Sequence, residues 1–243
     1  GDWISDVSSS DLHYPFFSLG IDSEYHPADE GGGPRDVPPA QGHLGLSQHI
    51  AMALTADEFD MSFFQGKPVD HGMLSPLSML GDANGPWPGK VVPLHCGLLQ
   101  LPIPTPKRMW KLGQSLRKAI ECYPEDLNVA IMATGGLSHQ VHGERAGFIN
   151  EAWDEEFLTL LEKDPQKLVD MRLAEYVVNG GMEGAEVIMW LIMRGALSKD
   201  VRLVHKQTYA PSVTNIATLV FEDTGPEPDP DEVAAYREHM GWH

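Results

Sequence analysis

The side chains best placed for chemistry are His139, His71 and Glu186. His139 follows an apolar run, Leu127 to Thr134, through Gly135, Gly136, Leu137 and Ser138. Paired glycines let a backbone turn tightly and leave room beside it for a small molecule. His71 follows an aromatic segment ending at Phe64 and is succeeded directly by Gly72. An imidazole titrates near neutrality and can take or return a proton, yet loop histidines serve equally often as structural hydrogen-bonding groups. The residues alone leave both roles open. Glu186 sits in MEGAEVIMWLIMRGAL, residues 182–197, a helix apolar almost all round and so expected to be buried. A carboxylate there must be protonated, paired with a cation or bound to a metal. The alternative, a first-turn acid favoured by the helix dipole, suits Glu183 better. His142 and Glu144 lie close behind His139, a spacing too common to define a metal cluster. Asp29 and Glu30 with Gly31 to Gly33 and Arg35 suit a locally paired loop. Dinucleotide fingerprints, Walker loops and the Gly-x-Ser-x-Gly elbow are absent from the sequence.

The elements that must position these residues follow from periodicity. Leu44 to Thr55 has helical spacing and leads into a strand over Asp57 to Phe64. Lys90 to Cys96 and Leu127 to Thr134 are short apolar strands, separated by a helix over Thr105 to Cys122 with Met109, Leu112, Leu116 and Ile120 on one stripe. Trp153 to Glu162, Lys167 to Val178 and Glu183 to Leu197 predict helices, and Ile216 to Phe221 a last strand. Alternation of this kind predicts an α/β fold: a central mixed, largely parallel sheet covered by helices on both faces, an αβα sandwich. Ligands in such sheets collect beyond the carboxyl ends of the strands, where His71 and His139 would both lie if their strands run parallel. Pro27 to Gly42 predicts a long surface loop, and Glu222 to Glu232, with three prolines among acids, an extended linker before a short helix.

Composition narrows the function classes. Lys+Arg 17 against Asp+Glu 35 leaves a formal charge of −18 over 243 residues, a field that repels phosphate backbones and anionic lipid surfaces. Nucleic acid and membrane are therefore unexpected partners, and no apolar run approaches the roughly 18 residues of a membrane span. Two cysteines, Cys96 and Cys122, are too few for a disulfide framework and suit a reducing cytoplasm.

Four motifs, PADEGGGPRD (27–36), PVDHG (68–72), GGLSHQVHGERAGF (135–148) and GMEGAEVIMWLIMRGAL (181–197), together resemble the catalytic subunit of the type II, LigB-like extradiol dioxygenases. This is the protocatechuate 4,5-dioxygenase and gallate dioxygenase group. The resemblance runs in order from about Tyr14 to Phe221, and PADEGGGPRDVPP, LQLPIPT and HQVHGERAGF are most similar to gallate dioxygenases. It implies a non-haem Fe(II) held by two histidines and one glutamate, the glutamate falling on Glu186. A face of that kind leaves iron positions open for a catechol and O2 together. His139 is implied as the acid–base residue and His71 as a second active-site histidine that hydrogen-bonds substrate or bound oxygen. Ser212 and Thr214, in YAPSVTNIA (209–217), fall in a pocket-lining segment of relatives. Arg145 is a cation that could hold the substrate carboxylate, the alternative being an ion pair with Glu144 or Asp154.

The family's two iron-binding histidines come from its N-terminal region, one near the first strand and one in an Asn-Asp-His at the end of the next, and neither motif is present; the counterpart of the Asn-Asp-His would fall near Ser5, and the first strand with its ligand is missing. The expected organisation is an unmatched segment 1–12, a catalytic domain 13–221, and a linker with the start of a helix over 222–243. The expectation is that this chain by itself is incomplete and inactive, His13 being no substitute ligand. The resemblance also implies a small aromatic acid and O2 as substrates, a small helical capping subunit or fused C-terminal cap, and a homodimer. A competing class is an iron-free binding module of the same fold. A zinc hydrolase using His139, His142 and Glu186 is disfavoured, because two histidines on a loop lack rigid helical presentation.

Overall fold

In a computed structural model of the chain, the residues described are 15–29, 38–78, 80, 87–98 and 102–242. Strand β1 (Phe17–Gly20) is central to a sheet of order β4-β1-β5, parallel to β4 (Met61–Phe64) and antiparallel to β5 (Leu94–Cys96). A small pair joins β2 (Glu24–Tyr25) to β3 (Ala40–Gln41), and a long hairpin joins β6 (Val201–Tyr209) to β7 (Ile216–Asp223). Around them run α1 (Leu44–Ala56), α2 (His71–Leu77), α3 (Pro106–Glu121), α4 (Glu151–Lys163), α5 (Pro165–Asp170), α6 (Leu173–Gly180), a 3-10 helix (Gly184–Met189), α7 (Trp190–Gly195) and α8 (Pro230–His239). The protein is mixed α/β, with helices and small sheets.

Helix α3 shows how sequence becomes packing. Thr105 caps it by accepting from the Arg108 amide at 3.2 Å, Pro106 starts it, and Met109, Leu112 and Leu116 bury the expected stripe. Its partner α7 comes so close that a Cβ on Gly113 would stand 2.1 Å from the Ile192 carbonyl, and one on Gly195 2.6 Å from that of Trp110. Two backbones can approach this far only where neither carries a side chain. The core that α3 anchors includes Phe17, Leu54, Leu137, Phe157 and Leu191.

Several expected elements differ. The helix expected over Lys167 to Val178 is two, because Met171 and Arg172 take extended backbone (ψ 145° and 147°) between α5 and α6. The one expected over Glu183 to Leu197 begins as a 3-10 helix and becomes α-helical at Trp190. Strand β6 was not anticipated: VRLVHKQTY has no clean alternation and is held by its pairing with β7. Leu127 to Thr134 pairs in no named strand among the described residues, although Leu127, Ile131 and Ala133 still pack on the core while Val129 and Met132 face solvent. In β4, Phe63 faces outward, whereas Phe59, just before the strand, is buried.

The acidic stretch after β7 turns back on the body. Arg237 of α8 donates to the Cys122 and Tyr123 carbonyls at 3.0 and 3.4 Å, and Trp242 lies against the His49 ring, centroids 4.0 Å apart. These contacts are to α1 and the end of α3. Segment 1–12 and the charged loop at Glu30 to Arg35 lie outside the described residues.

Candidate active site

The site is built around a glycine turn. Gly135 and Gly136 have φ of +91° and +73°, a backbone region that side chains disfavour. A Cβ on Gly135 would stand 2.9 Å from Glu186 Cδ, so the missing side chain is what admits the carboxylate. Glu186 Oε1 accepts from the Gly136 amide at 2.6 Å, and the Trp190 indole donates to the Gly135 carbonyl at 3.0 Å. Helix and turn thereby hold each other. Glu186 lies on the 3-10 helix and is half-buried, its side chain 22% exposed, rather than sealed in the core as its apolar neighbours led one to expect.

His139 stands opposite. Its Nε2 is 3.9 Å from Glu186 Oε1, and its side chain is 13% exposed. Nδ1 is 2.8 Å from the Leu137 carbonyl, which can only accept, so Nδ1 carries a proton and Nε2 is the nitrogen turned toward the carboxylate side. The backbone of His139 is gripped from both sides. Its amide donates to Gly180 O at 2.9 Å and its carbonyl accepts from Gly184 at 3.1 Å, while Thr214 pairs with it as an antiparallel bridge. Leu137, fully buried, pins the loop to the core.

The residue before His139 is held by a buried polar group that sequence reasoning missed. Asp154, in the first turn of α4, accepts from the Ser138 amide at 2.9 Å and hydroxyl at 2.6 Å, and from Asn215 Nδ2 at 2.9 Å. Ser138 Oγ in turn accepts from the Asn150 amide at 2.7 Å. The one sequence signal was an acid just after a helix start, which the helix dipole explains without any burial.

His71 opens α2, whose cap Asp70 accepts from Gly72 at 3.1 Å. A Cβ on Gly72 would be 3.8 Å from Thr134 Oγ1, so the start of α2 abuts the residue that leads into the glycine turn. Parallel bonds between residues 26–28 and Val69 hold that approach in place. His71 is an exposed residue. Thr214 is half-buried beside His139; Ser212 is exposed on the turn before it. Arg145 is committed elsewhere: it lies 3.8 Å over the Phe148 ring and donates to the Val177 and Val178 carbonyls at 3.5 and 3.1 Å, near the end of α6. Its expected alternatives, Glu144 and Asp154, are not its partners among the described contacts.

His142 also turns away, pairing with Glu183 at 3.1 Å. Desolvation works to raise the Glu183 carboxyl, but bonds from His142 and the Val141 amide outweigh it and hold the group below its ordinary range. Glu183 is thus a loop anchor. Among the described residues no group of three or more His, Cys, Asp or Glu stands poised for a metal ion. Cys96 is no nucleophile: burial pushes its thiol up to about 12.

Against known proteins, residues 1–221 match the family described as the catalytic LigB subunit of aromatic ring-opening dioxygenase. The chain is 60% identical over 213 residues to gallate dioxygenase of Pseudomonas putida, covering 88% of this chain and 63% of that protein. It is 22% identical over 214 residues to 2,3-dihydroxyphenylpropionate/2,3-dihydroxicinnamic acid 1,2-dioxygenase of Photorhabdus laumondii, covering 70% of this chain and 65% of that one. It therefore spans less than two thirds of the length of either relative. In fold it resembles the crystal structure of an uncharacterized protein from Escherichia coli K12, with a TM-score of 0.56 at 14% identity over 86% of this chain and 82% of the other. With 221 of 243 residues matched and a relative at 60% identity, the chain belongs to the LigB family of catalytic subunits of aromatic ring-opening dioxygenases.

Proposed function

We propose that residues 13–221 form the catalytic domain of an extradiol dioxygenase that opens the ring of gallate with O2, protocatechuate being the alternative substrate. The observation that carries this is the directed imidazole: Nδ1–H bound to Leu137 O, and Nε2 left facing a carboxylate 3.9 Å away across a turn kept open by glycine. The identity to gallate dioxygenase supports gallate as the first substrate to try. On this reading His139 Nε2 takes a phenolic proton from the bound ring and returns it as the ring opens. Glu186 beside it stabilises the imidazolium that forms in between. His71 hydrogen-bonds substrate from the α2 side, and Thr214, with Ser212 before it, lines the wall next to His139.

Fe(II) is part of the proposal as the family's cofactor, supplying a centre on which catechol and O2 meet. Glu186 fits one ligand position, its Oε1 oriented by the Gly136 amide. The described residues do not supply the two imidazoles that complete the set, so by themselves they do not fit the ion. We further propose that the sheets belong to a largely parallel αβα sandwich. Residues 222–243 would be the linker and first helix toward a helical cap, fused or separate, of a cytoplasmic homodimer. Among the described residues no helix is long and apolar enough to cross a membrane.

The test uses the protein encoded by the complete reading frame, supplied with ferrous iron and gallate in an oxygen electrode. One O2 consumed per gallate, with loss of the aromatic ultraviolet band, is expected, and His139→Gln should cut kcat by about 10²–10⁴-fold. Gallate binding without oxygen uptake would overturn the proposal in favour of a binding module.

A further inference from the structure

We infer that Asp154 is the positioning residue of this site, one buried carboxylate that sets where the His139 imidazole points. The inference rests on the reading of His139 as the acid–base group. Asp154, Ser138 and Asn215 are 1%, 1% and 3% exposed. Among the described residues no cation pairs with Asp154. Its charge is balanced by the Ser138 amide and hydroxyl, by the Asn215 amide group, and by its place in the first turn of α4. Burying an ion without a counter-ion is a costly way to gain stability alone, since apolar groups of similar shape usually serve as well.

The placement of the three donors says what the cost secures. Ser138 precedes His139 directly, and Asn215 follows Thr214, whose backbone is bridged to His139. The same two residues are also joined to this loop through the backbone, Leu137 N to Asn215 O at 2.8 Å and Asn215 N to Ser138 O at 3.4 Å. Both flanks of the imidazole are therefore tied to one side chain on one rigid helix. The Asn150 amide, donating to Ser138 Oγ, fixes the hydroxyl so that its proton goes to Asp154. Without the carboxylate, Ser138 and Asn215 keep their backbone pairing and the Asn150 bond but lose the side-chain tie that joins them to α4, and the ring can shift relative to Glu186.

Asp154→Asn tests this with little change in volume. All three groups facing the carboxylate are donors, so either orientation of the new amide sets its NH2 against a donor. In the protein described above, kcat per folded molecule should fall by about 10- to 100-fold, the scale of a misplacement near 1 Å, with KM for gallate within about threefold. Hydrogen exchange at the amides of Ser138, His139 and Asn215 should quicken at least tenfold, with the α3 amides near Leu112 unchanged. Asn215→Ala removes one of the three bonds and should show the same pattern more weakly; it carries the test if Asp154→Asn does not fold. Wild-type kcat in the variants, or exchange quickened equally in α3, would overturn the inference and reduce Asp154 to a stability residue. If the unaltered protein consumes no oxygen with gallate, the functional reading fails, and the exchange pattern still decides whether Asp154 positions the loop.

Discussion

Gly135→Ala places the added methyl against the one contact that joins the glycine turn to the carboxylate. The new Cβ would stand 2.9 Å from Glu186 Cδ and 3.2 Å from its Oε1, on a residue whose φ is +91°. Glu186 is flexible at that end, so the overlap is relieved by the carboxylate swinging away, and the cost is counted in what it leaves behind. An L-residue in left-handed backbone costs about 1–2 kcal/mol. The bond from the Gly136 amide, 2.6 Å long and to a charged acceptor, is worth about 1.5–3 kcal/mol. The sum is about 2.5–5 kcal/mol, a large part of the 5–15 kcal/mol typical of a whole domain. For a chain of this size each kcal/mol moves Tm by about 2–4 °C, so the melting temperature should fall by about 5–20 °C. Because Glu186 leaves its place opposite His139, ring-opening activity should fall by about 10²-fold as well. The control is Gly89→Ala, where the added Cβ meets nothing within 4 Å and φ is ordinary; it should change stability by less than about 0.5 kcal/mol. Thermal unfolding followed by circular dichroism, with oxygen uptake on the same samples, measures both. A Gly135→Ala protein that melts with the Gly89→Ala control would refute the claim that glycine is needed there to admit Glu186.

Acidification should destabilise the fold through two buried rings. Desolvation lowers the pKa of His49, whose Nε2 lies 2.8 Å from the Ala119 carbonyl, and of His95, stacked on Phe64 with its Nε2 buried and unbonded. A depressed imidazole pKa means the unfolded chain takes up protons first, so stability is intact above the ordinary value of about 6.5 and declines as pH falls below it. Tm measured between pH 7.5 and 5.5 should drop, less so in His49→Gln and His95→Gln; a flat profile would contradict the burial of both rings. Burial also raises both thiols, Cys96 to about 12, so neither should react with a thiol reagent at pH 8 until the chain unfolds. Rapid labelling of the native protein would show that a thiol is accessible.

Local pattern was enough for the parts of the molecule whose physics is local. The stripe of α3, the tight turn at Gly135 and Gly136, and the conflict of an acid among apolar neighbours at Glu186 could all be read from residue type and spacing. Each depends on helical period, on backbone freedom or on the cost of burying charge. Tertiary structure decided which polar groups meet. Arg145 and His142 carry the right chemistry for a site and were drawn instead to carbonyls near the end of α6 and to Glu183, because those partners lay within reach once the chain was folded. Asp154 entered the sequence reading only as a possible ion-pair partner of Arg145, and the 138 and 215 segments closed over it instead. The break between α5 and α6, and the pairing that makes β6 a strand, likewise come from contacts far apart in sequence. A single chain's periodicity reports which face of an element is apolar; it does not report which distant donor will be waiting for a given acceptor.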